Sequence, residues 1–236
     1  MRIRTSMVLV VLALVLVGGA ASAQDSAMQF KLGWFYPTGD GEFWSETEDV
    51  FTFDSSDLRN WTWGFTYVVS PANHLEVGFN LDLYRGRTYS AYRDVVDEAG
   101  FAIFHDSELR MVPMSVDLRL IPAGRYGGAG GRRAKRPVWY IGGGIGANLW
   151  EYEEFGDFVD FSDPDLPVVF DRFRDSGTTF QAHALTGFEL PFGRAWSFVV
   201  EGKYTWASTD LRGDFAGLGE IDLGGFSISA GGSIRF

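Results

Sequence analysis

The chain lacks cysteine altogether, lacks an excess of positive charge, and lacks any apolar run of the length a membrane helix needs. The first absence excludes a disulfide framework. It also excludes a lipid-anchored lipoprotein, since no cysteine follows the leader described below. The second excludes a nucleic-acid partner and direct attraction to an anionic lipid surface, because 20 Lys and Arg face 31 Asp and Glu and a surface of that sign repels phosphate. The third excludes a transmembrane helix, which takes about 20 consecutive apolar residues. No cofactor motif is present, and neither a cofactor nor a metal is expected.

What the chain does have is 16% aromatic residues and 30 glycines, with its apolar residues alternating instead of clustering. Residues 1–23 stand apart as a secretory signal peptide. Arg2 and Arg4 form a basic start, residues 7–17 a short apolar core, and Ala21-Ser22-Ala23 an A-x-A cleavage site. A membrane helix is the competing explanation, but about eleven apolar residues are too few to span. Cleavage before Gln24 leaves residues 24–236 as one domain, with 18 basic groups against 31 acidic ones, about −13.

Alternation is clearest in residues 74–84, and residues 223–236 carry it to the end of the chain. Phe226, Ile228, Ala230, Gly232, Ile234 and Phe236 share one parity, and glycines, serines and Arg235 fill most of the other. Successive strand side chains point to opposite faces, so this is a strand with one apolar face. Phe226 and Phe236 bracket that face ten positions apart. At about 3.3 Å per residue and a tilt near 40°, ten steps climb about 25 Å, the height of the apolar band on a membrane barrel. Trp196 and Trp206 repeat the bracket. The same period assigns strands to residues 28–36, 61–69, 74–84, 109–121, 138–150, 178–190 and 196–206. Trp34, Trp61, Trp63, Trp139, Trp196, Trp206, Phe226 and Phe236 are the expected aromatic girdles at the two membrane surfaces.

The links after the first, third, fifth and seventh strands are long, covering about 37–59, 85–107, 151–176 and 209–222. The others are short, apart from the Gly-rich basic link 122–137, and Ser70-Pro71-Ala72-Asn73 reads as a tight turn. A barrel with both termini in the periplasm has this arrangement, and an even strand number lets the first and last strands pair and leave no edge in lipid. A soluble sandwich also alternates but has no reason to gather its long loops at one end. The expected fold is therefore all-β: an eight-stranded antiparallel up-and-down transmembrane β-barrel.

Val112-Pro113-Met114-Ser115-Val116-Asp117-Leu118-Arg119-Leu120-Ile121-Pro122, then a Gly-rich basic turn, then Arg136-Pro137-Val138-Trp139-Tyr140-Ile141-Gly142-Gly143-Gly144-Ile145-Gly146, is similar to a strand pair of the OmpW/OmpX-like outer-membrane β-barrel group. The terminal Phe236 resembles the C-terminal signature of such barrels. The resemblance implies residence in the bacterial outer membrane among its lipids and lipopolysaccharide. It also implies delivery by the barrel-assembly machinery through the C-terminal strand, and a monomeric state. OmpW-like members are linked to uptake of small apolar molecules and OmpX-like ones to surface adhesion.

An eight-stranded barrel has an interior that side chains can fill. The inward parity carries Lys31, Glu76, Asp82, Asp117, Arg119, His183, Glu189, Glu201, Lys203 and Arg235. Glu76, Arg119, Glu189 and Arg235 are expected in the lowest layer, with Glu76 and Arg119 close enough to pair, and Lys31, Asp117, Glu201 and Lys203 nearer the middle. Buried charges of both signs call for mutual pairing, which makes a polar plug. The many inward glycines leave room for water, so a polar channel is the alternative. Catalysis finds no support, because His183 has Leu185 two residues on and so lacks the His-x-Ser spacing of barrel deacylases. His74 and His105 are placed at a strand edge and in a loop.

The loop 151–176 is strongly acidic. Asp160, Asp163 and Asp165 have a spacing that suits Ca²⁺ or Mg²⁺, but without the EF-hand Gly and terminal Glu it reads as a solvated loop. Its aromatics, Phe155, Phe158, Phe161, Phe170 and Phe173, suggest an ordered cover over the barrel mouth. Residues 50–53 suggest a strand extension above the membrane. The basic link from Arg125 to Arg136 is expected to face periplasmic phospholipid headgroups.

Overall fold

The computed structural model describes residues 25–126, 136–160, 163, 165 and 167–236. The proposed leader, Arg132, Arg133, Lys135 and Phe161 lie outside these. The described residues form ten strands. β1 (Asp25–Pro37), β2 (Asn60–Ala72), β3 (Leu75–Val96), β4 (Ala102–Leu120), β5 (Val138–Val159), β6 (Val168–Pro191), β7 (Trp196–Trp206) and β10 (Gly225–Arg235) form the main sheet, and β8 (Ser208–Asp210) pairs with β9 (Glu220–Asp222) as a small ribbon. The main sheet is a closed antiparallel barrel in the ring order β1-β10-β7-β6-β5-β4-β3-β2. Closure runs through the terminal strands, with Phe30 opposite Gly232 and Tyr36 opposite Phe226. At the lower rim Ser26 and Phe236 exchange both backbone hydrogen bonds, at 3.1 and 2.9 Å. The seam leaves no open edge, as a lipid environment requires.

The predicted eight-stranded barrel is the fold observed, but the strands are unequal. β1, β2, β7 and β10 have 11 to 13 residues, whereas β3, β4, β5 and β6 have 19 to 24. A strand of 22 residues is about 70 Å long, twice what a tilted crossing of a 25 Å band takes. One side of the barrel therefore continues upward as a four-stranded wall. The expected long loops 85–107 and 151–176 are corrected accordingly: β3 and β4 meet in a hairpin at 97–101, and β5 and β6 approach within a link at 160–167.

The physical reason is a change of solvent. Within the lower barrel the outward residues are apolar: Leu83, Val116, Leu118, Ile141, Ile145 and Phe188 are all exposed. Above it the outward residues of the same strands are mostly charged, and the inward ones are mostly apolar: Leu109, Met111, Trp150 and Tyr152 are buried. The pleat is unbroken, while the polarity pattern inverts where lipid gives way to water.

That inverted wall needs a cover for its apolar face. The β1–β2 link supplies helix α1 (Glu42–Val50) and a 3-10 turn (Ser55–Leu58), and the β7–β10 link supplies the ribbon and a turn at Gly213–Phe215. Phe43, Trp44, Phe53, Leu58, Phe215, Ile221 and Leu223 from the links pack with Leu109, Met111, Trp150 and Tyr152 of the wall in one buried cluster. The expected strand at 50–53 is absent. Phe51 makes a single bridge to Tyr92, and the segment before it is helical. The expected tight turn sits slightly later than predicted, at Asn73-His74, because β2 continues through Ala72.

Candidate functional site

The lumen is built by parity. Inward-facing residues of the eight strands meet on the barrel axis, and large side chains lie opposite glycines. Asp82 faces Gly64, Asp117 faces Gly78 and Tyr140 faces Gly187 across their strand pairs. A Cβ at those glycines would come within 2.7 Å of Asp82, 2.4 Å of Asp117 and 2.5 Å of the Tyr140 ring. These three glycines make room for neighbouring side chains, and the expected room for water persists as a small lumenal cavity of about 40 Å³ beside Gly64, Asp82, Glu201 and Lys203.

The lowest layer joins four charged groups. Glu76 and Glu189 are buried from β3 and β6, and Arg235 arrives from β10. The fourth is Arg125, from the β4–β5 link, which folds back into the barrel and is 1% exposed. It donates to Glu189 at 2.7 Å and to Glu76 at 2.9 Å. Arg235 donates to Glu76 at 3.0 Å and to Ser70 at 2.8 Å, and lies 3.4 Å from Glu189. Two corrections follow. Arg125 does not face headgroups, because two buried carboxylates need more than the single cation Arg235. The expected Glu76–Arg119 pair does not form, although the two residues are opposite in register. Arg119 bends away from the rim and donates to Asp117 at 2.9 Å and to Gln29 at 3.1 Å.

The middle layer is also charge-balanced. Lys31 donates to Glu201 at 2.5 Å, Tyr140 donates to the other Glu201 oxygen at 2.9 Å, and Arg119 lies 3.5 Å from the same carboxylate. Asn80 donates to Asp117 at 2.7 Å, Lys203 pairs with Asp82, and His183 Nε2 lies 3.9 Å from Asp117. Three cations thus meet three carboxylates, as buried charge demands. Gln29, Asn80 and Tyr140 were not singled out from the sequence, and Arg125 was expected at the headgroups. The first three sit on the inward parity that marked the others, so that signal was available. Arg125 sits in a link and carried none.

The top is closed by the apolar cluster. Trp44 of α1 is fully buried and donates Nε1–H to the Asp222 carbonyl at 2.8 Å, so the two links lock together over the mouth. Two ionisable groups are buried inside this cap. Glu154 accepts from Tyr152 at 2.6 Å, and burial pushes its carboxyl up to about 7. His105, expected in a loop, lies on the inner face of β4 with Nε2 3.0 Å from Ser90 Oγ, and burial pulls it down to about 4. Ser90 and His105 are 2% and 1% exposed, so this serine–histidine contact is enclosed by the cap. Among the described residues, no three or more His, Asp or Glu are grouped to hold a metal, and Asp160, Asp163 and Asp165 form a local turn.

On the outer surface, Trp139, Trp196 and Phe236 lie toward the rim with the termini. Trp34, Trp61, Trp63, Trp206 and Phe226 lie toward the other end of the lipid-facing band. Trp34 packs edge-on against Trp61 with centroids 4.6 Å apart. No helix of the described residues is long and apolar enough to cross a membrane; the strands provide the crossing.

A closed barrel with an apolar exterior and an ion-paired interior defines an eight-stranded transmembrane β-barrel of the outer-membrane type. Solved structures agree on the fold. The outer membrane protein OprG from Pseudomonas aeruginosa matches with a TM-score of 0.53 at 14% identity, over 91% of this chain and 96% of that one. Outer Membrane Protein W from E. coli is similar at a TM-score of 0.42 and 15% identity, over 91% of this chain and 98% of that one. Neisserial surface protein A gives 0.46 and 9%, over 90% and 97%. The fold assignment by comparison rests on the first. No family model and no curated protein sequence matches the chain.

Proposed function

We propose that the protein is a monomeric, non-catalytic scaffold of the bacterial outer membrane, with a sealed lumen and a tall wall presented at the cell surface. The termini and the ion-paired floor then face the periplasm, and the capped wall faces outward among lipopolysaccharide. The observation that carries this reading is double closure. Four interlocked charges fill the lower end, and twenty buried residues pack in one apolar cluster across the upper end and cap, above a small lumenal cavity of about 40 Å³. A solute path would require both to open. The strand ending in Phe236 supports insertion by the barrel-assembly machinery.

A second reading, passage of small apolar solutes, draws on one feature. An apolar pocket on the barrel wall is lined by Phe30, Leu32, Trp63, Phe65, Leu81 and Leu83, and Gly64 and Gly231 bring it against Lys31 of the lumen. Solute influx into proteoliposomes separates the two. The scaffold predicts influx no faster than in empty vesicles; uptake of small sugars or of an apolar probe above that background would replace it with the transport reading.

A further inference from the structure

The outer face of the wall carries charged and aromatic residues in ordered rows. Register places Arg85, Arg110, Glu151 and Ser176 in one row across β3, β4, β5 and β6. The next row upward on the same face is Arg87, Glu108, Glu153 and Arg174, and the third is Tyr89, Asp106, Phe155 and Arg172. The rows begin directly above the last lipid-facing residues of the same strands, Leu83 on β3 and Val112 on β4. Each row adds about 5 Å of height at the expected tilt, so the grid spans the zone just outside the apolar band.

Five arginines against four carboxylates give these rows a small positive excess on a chain that is acidic as a whole. Arg85 and Arg110 stand directly opposite each other, an arrangement that is unfavourable in isolation. They share the buried Glu108, at 2.8 Å from Arg85. Arg110 also pairs with Glu151 at 3.0 Å, and Glu151 in turn pairs with Arg174, so three guanidiniums share two carboxylates, and the Arg85 side chain is 60% exposed with donors to spare. Above them Phe155 is held between the guanidiniums of Arg87 and Arg172, whose carbons lie 4.9 and 5.5 Å from its centroid. Tyr89 and Phe104 stack at 5.0 Å. Arginines bind phosphate through paired N–H donors, and flat aromatic faces pack against the apolar faces of sugar rings.

We propose that this face docks the phosphorylated saccharide headgroup of the outer-leaflet glycolipid, with Arg85 and Arg110 taking phosphate and Phe155 with its flanking arginines taking the sugar. The assignment rests on the outer-membrane placement proposed above. Continuity favours this occupant, since a lipid whose acyl chains lie along Leu83 and Val112 brings its headgroup to the first arginine row. The exposed guanidinium donors at headgroup height also suit phosphate.

The test uses the full-length mature protein refolded in lipid nanodiscs, probed with phosphorylated lipopolysaccharide, the same material chemically dephosphorylated, and phosphatidylglycerol vesicles. The expected result is retention of the phosphorylated glycolipid, with about tenfold weaker binding after dephosphorylation or in the Arg85→Gln/Arg110→Gln variant. Phe155→Ala should weaken binding to both glycolipid forms. Equal binding by wild type and the double variant, or equal binding to phosphatidylglycerol, overturns the proposal, as does preferential capture of a soluble protein competing for the same arginines. Heat-modifiable gel migration separates the two levels. A folded barrel that ignores the headgroup removes this assignment alone, while a chain with no folded, lipid-inserted form removes the placement beneath it.

Discussion

Arg125 enters the barrel from the β4–β5 link and bonds Glu189 of β6 at 2.7 Å, closing the lumen with a side chain that belongs to no strand. With Arg235 it balances Glu76 and Glu189, so each carboxylate meets two guanidiniums. Removing Arg125 leaves two buried carboxylates with one main cation. Loss of one partner of a buried pair typically costs about 3–5 kcal/mol. The Arg125→Ala protein should therefore unfold from vesicles at clearly lower urea, read by band shift on unboiled gels. An unchanged midpoint would mean that the link does not occupy the floor.

Lys31 and Glu201 allow a sharper test of the middle layer. Glu201→Gln strands Lys31 and weakens the hold on Arg119, with an expected loss of about 3–5 kcal/mol. Combining it with Lys31→Met removes the orphaned cation and should recover part of that loss, so the two changes are less than additive. A double-mutant cycle in urea measures the coupling. Additive losses would contradict direct pairing.

Much of this architecture is legible in the sequence, and the parts that are not share a cause. The eight crossings are visible because lipid imposes one rule on the outward parity, seen from Leu75 to Leu83 and from Phe226 to Phe236. Above Leu83 that rule stops. Arg85, Arg87 and Tyr89 continue the strand on the outward parity, but with charge outside and small or apolar groups inside they look like a loop to any pattern tuned to lipid. Arg125 is hidden for a different reason, because a link has no parity to say which way its side chain turns. Register alone also misleads for long side chains: Glu76 and Arg119 are opposite, yet Glu76 pairs within the floor and Arg119 reaches partners in the layer above.

Trp44 is the keystone of the cap. Trp44→Ala deletes a fully buried indole and its bond to the Asp222 carbonyl, a change worth about 3–5 kcal/mol. Limited proteolysis of intact vesicles should then cut within residues 38–59, while far-ultraviolet circular dichroism keeps the sheet signal. Protection of that segment in the variant would show that the cap does not depend on this side chain.

The cap should respond to pH through two opposed groups. Glu154 is raised from 4.5 to about 7, so the folded cap binds its proton more tightly. Its contribution is complete below pH 4.5 and lost as pH rises to about 7. His105 is lowered from 6.5 to about 4, so its contribution is complete above pH 6.5 and lost as pH falls to about 4. Between pH 4.5 and 6.5 the two slopes oppose, and the protection of the upper strands, measured as hydrogen exchange relative to the intrinsic rate at each pH, should change little in the wild type. Glu154→Gln should leave a cap that stabilises with rising pH across that range, and His105→Gln one that weakens. Parallel slopes in the two variants would contradict the assignment.

Sealing of the lumen at both ends is the central claim, and planar-bilayer conductance of the refolded protein tests it most directly. Wild type is predicted to give no steps above the bare bilayer, and the Arg125→Ala/Trp44→Ala double variant to give brief openings as floor and cap loosen together. Stable, reproducible conductance from the wild-type protein would contradict it.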